Sequence, residues 1–149
     1  MPKFDQNVLI RIVGELRKGV RRLSALAQVD EDRFVKDDDK VASAKYHFIV
    51  AIEACIDLCN HVISRNGLRV PEDYGDTFRV MAEAGALPPE FSEELVGMGK
   101  FRNRLVHLYW EVDDRQVHRL LRERLPDFHR FLKAMANYLG LEDINEFGC

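Results

Sequence analysis

The sequence predicts an all-α fold: an up-and-down four-helix bundle with additional short helices, in a single domain over residues 1–149. Three observations predict it. Apolar residues recur at three- and four-residue steps through every long segment, helix-stopping and helix-starting residues fall between those segments, and no stretch alternates apolar with polar as a strand does.

The first helix runs from about Asp5 to Ala27, with Leu9, Ile12, Val13, Leu16, Val20, Leu23 and Leu26 on one side. Gly14 and Gly19 each cost about 1 kcal/mol against alanine there, which points to a close helix contact. Arg17 with Arg21 and Lys18 with Arg22 make i,i+4 pairs on its polar side, read as a solvated face. Asp30, Glu31 and Asp32, then Asp37, Asp38 and Asp39, form an acidic connector in which Phe34 and Val35 plug a short helical turn into the core. Carboxylates just ahead of an apolar run suit a helix N-terminus, where they meet orphan amides and the positive end of the dipole.

The second helix spans about Asp39 to Arg65 on Val41, Ala44, Phe48, Ile52, Cys55, Cys59 and Val62, and Asn66-Gly67 supplies a left-handed stop. Cys55 and Cys59 read as small buried apolar groups. Glu53 and Asp57, with His61 one turn on, lie on the flank away from the main stripe. Such a row can share a proton or hold a metal, and is more often a surface strip of ion-pair partners. Leu68 to Asp76 reads as a loop, and Thr77 to Ala84 as a short helix ended by Gly85. Pro88-Pro89 starts the next helix, where a missing donor costs nothing. Phe91, Leu95, Met98, Phe101, Leu105 and Leu108 give it an apolar side, with Gly97 and Gly99 allowing a bend or close contact. Asp113-Asp114 caps a last helix that keeps its spacing across Pro126 to Gly140 and so reads as one kinked element. His118 and His129 on it are too far apart to share a metal.

Composition narrows the function classes. The chain is 46% hydrophobic and 32% charged, and one domain of this length buries roughly 70% of its unfolded surface. No uninterrupted apolar run approaches the ~20 residues of a membrane helix, and the N-terminus lacks a signal-peptide layout, so a cytoplasmic protein is expected. Three cysteines, an odd number, fit a reducing compartment. A net charge of −3 argues against a protein that coats nucleic acid. Residues 100–130 nevertheless carry 8 basic and 5 acidic side chains, a net positive segment between two that are net negative, 1–99 and 131–149.

That region opens on Phe101-Arg102-Asn103-Arg104-Leu105-Val106-His107-Leu108-Tyr109-Trp110. A guanidinium clamps a phosphate through parallel hydrogen bonds, and an imidazole moves protons near neutral pH. On an ideal helix Arg102 and His107 diverge by about 140°, while Arg102 and Tyr109 nearly eclipse one another. The arginine and histidine can meet through the long arginine arm, through a local break, or across a two-fold axis between two copies. Taken alone, an arginine and a histidine at this spacing are more readily read as a surface ion pair and a packing residue.

These residues resemble a known family. Arg102 to His107 matches the R-x4-6-H signature of HEPN ribonucleases, and the R-N-x-L-V-H-x-Y string, with Ala51-Ile52-Glu53-Ala54 and the helix order, is similar to the HepT branch. Those toxins are encoded beside a small nucleotidyltransferase, MntA. The resemblance covers essentially the whole chain. It implies a HEPN-like bundle and a metal-independent endoribonuclease that needs no cofactor and acts on RNA as a homodimer, with no DNA or membrane partner. It makes Arg102 and His107 the catalytic pair, Asn103 a supporting residue, and Tyr109 the hydroxyl adenylylated by an MntA-type antitoxin. Glu53 and Asp57 are candidate cleft residues. The chemistry agrees: RNA carries its own 2′-hydroxyl nucleophile, a histidine relays protons, and an arginine stabilises the charged transition state, giving a 2′,3′-cyclic phosphate. The alternative is a catalytically inactive helical module that dimerises and binds a nucleotidyltransferase. A metal-dependent phosphodiesterase using Glu53, Asp57 and His61 is a third reading.

Overall fold

The computed structural model describes residues 1–141, in which α1 (Gln6–Ala27), α2 (Glu31–Val35), α3 (Asp38–Arg65), α4 (Tyr74–Glu83), α5 (Pro89–His107), a 3-10 turn (Tyr109–Glu111), α6 (Asp114–Glu123) and α7 (Leu125–Tyr138) follow one another. There is no strand among the described residues. The rest of the acidic tail, including Cys149, lies outside them.

α3 is the axis of the bundle and packs against α1, α2, α4, α5 and α6. Its apolar positions spread around the cylinder because it has neighbours on several sides: Phe48, Ile52, Cys55, Leu58, Cys59 and Val62 are all buried. By length and composition alone α3 is apolar enough to cross a membrane. Here that surface is used internally, each large side chain contributing about 1.5–3 kcal/mol by leaving water. Burial also pushes both the Cys55 and Cys59 thiols up, away from reactive thiolate.

The expected acidic caps are in place. Asp5 accepts the Asn7 and Val8 amides, Asp37 those of Asp39 and Lys40, and Asp113 that of Arg115. Gly67, at φ 60°, ends α3 as a left-handed stop. Phe34 of α2 is fully buried beside the His118 ring. Gly19 lies in the α1–α3 contact, but a Cβ there would stand at an ordinary 3.5 Å from that of Ala51, and Gly14 faces open space, so neither glycine is required by the packing.

Two boundaries differ from the sequence reading. α4 starts at Tyr74 because Asp73 caps it, accepting the Asp76 amide at 2.7 Å. The last helix is two helices, broken at Arg124 (φ −110°, ψ −7°). Pro126 falls in the first turn of α7, where its missing donor costs nothing, and so it starts a helix rather than kinking one. Both pieces keep helical spacing because both pack on the same core.

Candidate active site

Phe101 and Leu105 fix the rotation of α5. Both are buried, and the Phe101 ring stands edge-on to Phe48 of α3 at 5.6 Å. Arg102 and Asn103 are thereby turned towards α3 and α4. Gly99 then lets α4 come close: a Cβ on it would lie 3.3 Å from the Gly75 Cα. This contact sets Tyr74, the neighbour of Gly75, against Arg102.

The Arg102 side chain is only 12% exposed. Its Nε and Nη2 donate to Glu53 Oε1 at 3.0 and 2.6 Å, and its Nη1 donates to Asn103 Oδ1 at 3.0 Å. Its Cζ lies 4.6 Å from the centre of the Tyr74 ring. A guanidinium has five donors, and these bonds engage three of them.

His107, the last residue of α5, is exposed on a cleft that it shares with Asn103, Tyr74, Pro71 and Asn60. Arg102 and His107 do not point along one line. Asn103 and Tyr74 join them, since each touches Arg102 and also lines the cleft that holds His107. The loop carrying Pro71 is braced by Arg69, which grips Asp76 at 2.7 and 3.2 Å and Glu83 at 3.1 and 2.8 Å. Arg69, helped by the Glu72 amide, draws the Asp76 carboxyl down to about 2.

The helix breaks at Leu108 (φ −133°, ψ 42°), after the histidine, so the break redirects Tyr109 and not His107. The near-eclipse of Arg102 and Tyr109 expected on a continuous helix is therefore lost, and Leu108 sits exposed instead of on the apolar side. Tyr109 lies on the 3-10 turn, 40% exposed. Its ring stands under Lys45 of α3, whose Nζ is 4.2 Å from the ring centre, donates to the Tyr109 carbonyl at 3.4 Å and pairs with Asp114 at 3.2 Å.

The row Glu53, Asp57 and His61 does not act as one group. Glu53 holds Arg102. Asp57 is exposed, and partial burial together with the Glu53 charge raises its carboxyl against the opposing pull of Arg11. His61 Nε2 accepts the Asp5 amide at 2.9 Å. No three His, Cys, Asp or Glu side chains converge among the described residues. Arg17 and Arg21 line a separate cleft with Phe128 and His129.

Sequence reasoning missed Lys45, Tyr74 and Asn60. The signal for Lys45 was present: a lysine interrupting the buried face between Ala44 and Phe48. Tyr74 and Asn60 lie on a loop edge and a polar flank, and only tertiary packing brings them to the motif.

The family model described as Ribonuclease HepT-like matches residues 16–135. An mRNA nuclease HepT of Shewanella oneidensis is 25% identical over 87% of this chain and 96% of its own. A protein of Archaeoglobus fulgidus named as a putative RNase is 30% identical over 64% of this chain and 70% of its own. The solved structure of a tri-AMPylated HEPN toxin of Shewanella oneidensis in complex with MNT antitoxin superposes with a TM-score of 0.80 at 25% identity, covering 87% of this chain and 97% of that one.

Proposed function

The chain belongs to the Ribonuclease HepT-like family, and from that membership we propose that it is a cytoplasmic toxin of a toxin–antitoxin pair, a metal-independent endoribonuclease that cuts RNA with Arg102 and His107. The observation that carries the reading is the cleft in which exposed His107 meets Asn103 and Tyr74, the two residues against which Arg102 is set.

The roles follow from the contacts. The two remaining Arg102 donors bind the non-bridging oxygens of the scissile phosphate, and their charge opposes the extra negative charge of the pentacoordinate transition state. Glu53 and Asn103 hold the fork in place, so little reorganisation accompanies reaction. The ribose 2′-oxygen attacks phosphorus and loses its proton while the bond to the 5′-oxygen breaks and that oxygen gains one. His107, exposed on the cleft, serves these proton transfers. The products are a 2′,3′-cyclic phosphate and a 5′-hydroxyl. DNA has no 2′-hydroxyl and is not a substrate.

Tyr109 is the acceptor for adenylylation by an MntA-type nucleotidyltransferase. Its phenol oxygen attacks the α-phosphorus of ATP, pyrophosphate leaves, and the phenol proton is lost. The product carries an anionic phosphodiester and an adenine two residues from His107, excluding RNA by charge and volume. The exposed Tyr46, Val106, Leu108 and Trp110 supply an apolar surface near the motif for pairing with a second copy. The same surface favours the second reading, in which the bundle only dimerises and binds the antitoxin.

One experiment separates the two. Purified protein should cleave single-stranded RNA in the presence of a chelator to a cyclic-phosphate end, and His107→Ala should not. Intact RNA with the wild-type protein leaves the binding module, and cleavage abolished by chelator favours a metal enzyme.

A further inference from the structure

We propose that Tyr74 is a stacking platform for one unpaired base of the RNA, next to the scissile phosphate, which makes the Tyr74 side of the cleft a nucleobase subsite; this rests on the nuclease reading. Tyr74 is 44% exposed even with a guanidinium 4.6 Å from its ring centre, so part of the ring is open to a ligand. One part of the ring is used by Arg102, and the tyrosine also lines the cleft beside His107 and Asn103. A base laid on the ring there would continue an arginine–tyrosine–base stack, with its own phosphate towards Arg102 and His107.

The lining of the cleft carries matching polar groups. His107 and Asn103 line it with the Tyr74 ring, and Arg102 stands against Asn103 and Tyr74. Asn60, Pro71 and Asp73 complete its polar and apolar walls. The Asp73 carboxylate, which caps α4 through the Asp76 amide, repels a phosphate but accepts from ring N–H and exocyclic amino groups. The Asn60 amide offers both a donor and an acceptor to a base edge. Apolar Val70 and Pro71 add a non-hydrogen-bonding wall. A cleft that sets an aromatic ring, an amide and a carboxylate beside a histidine, with an arginine against the ring, is suited to a nucleotide: base on the ring, phosphate towards the basic groups. Recognition of splayed single-stranded bases by aromatic rings is the common mode for RNA.

The test uses full-length protein and a set of short single-stranded 2′-O-methyl RNAs, which lack the attacking hydroxyl, with each base in turn replaced by an abasic sugar. At one position the abasic strand should bind wild type about tenfold more weakly than the intact strand, the scale of one stacked base. Tyr74→Phe should keep that ratio, and Tyr74→Leu should bring it close to one. A ring that merely supports Arg102 would weaken both strands equally in Tyr74→Leu and leave the ratio unchanged, which overturns the subsite, as does a ratio near one at every position for wild type. Cleavage of the unmodified strand, followed on the same samples, decides the nuclease reading separately.

Discussion

Glu53 Oε1 receives two hydrogen bonds from Arg102, at 3.0 Å from Nε and 2.6 Å from Nη2, across the gap between α3 and α5. The pair joins a nearly enclosed guanidinium to a carboxylate that is 41% exposed, so its value lies in aim more than in stability. Glu53→Ala should lower kcat for RNA cleavage by about 10- to 100-fold, the scale of an ångström-level misplacement of a catalytic group. Glu53→Gln, which keeps an acceptor oxygen, should recover much of it. Single-turnover kinetics on both variants provide the check, and wild-type rates in Glu53→Ala would remove Glu53 from the site.

Gly99 and Gly97 give a matched pair. A Cβ on Gly99 meets the Gly75 backbone at 3.3 and 3.4 Å, which no side-chain rotation relieves, whereas a Cβ on Gly97 meets nothing within 4 Å. Gly99→Ala should cost roughly 1–3 kcal/mol by overpacking and carry Tyr74 away from Arg102. Gly97→Ala should stabilise by up to about 1 kcal/mol through helix propensity. Denaturant melts and cleavage rates of the two variants would settle the matter; equal behaviour would contradict the close contact.

The sequence marked both glycines alike, and this shows where its legibility ends. Periodicity located every long helix, because apolar spacing records which face meets the core. The motif marked Arg102 and His107 as candidates and the family resemblance added Asn103, while Glu53 stood in a row with Asp57 and His61 and its pairing with Arg102 was not legible. The sequence could not distinguish Gly97 from Gly99, or reveal Tyr74, because which flank of α5 meets α4 depends on the packing of Phe101 and Leu105. The break at Arg124 was hidden for the same kind of reason: α6 and α7 present apolar residues to one core, and Pro126 suits a first turn as readily as a kink.

Lys45 fixes Tyr109 from the α3 side, and its loss should affect modification more than folding. In Lys45→Met the stem is kept, the ammonium over the ring goes, and Asp114, 40% exposed, is left in contact with water. The stability change should stay within about 1 kcal/mol. Adenylylation of Tyr109 by the nucleotidyltransferase should slow about tenfold as the turn loses its anchor, read as the rate of AMP mass gain, and Tyr109→Phe should gain none. An unchanged rate in Lys45→Met would free Tyr109 from any dependence on α3.

His61 makes the start of α1 sensitive to acid. Its Nε2 accepts the Asp5 amide at 2.9 Å, which only the neutral ring can do. Burial, then the Arg65 charge, lower its pKa from the ordinary 6.5, against the opposing pull of Asp5. On acidification the unfolded chain therefore takes up the proton first. The contribution of His61 to stability is full above pH 6.5 and is lost as the pH falls through the lowered folded value. Between about pH 7.5 and 5.5, wild type should lose up to about 1 kcal/mol more than His61→Ala, the scale of one hydrogen bond. Paired urea melts at the two pH values measure it. Parallel losses in both proteins would mean that the acid response does not arise at His61.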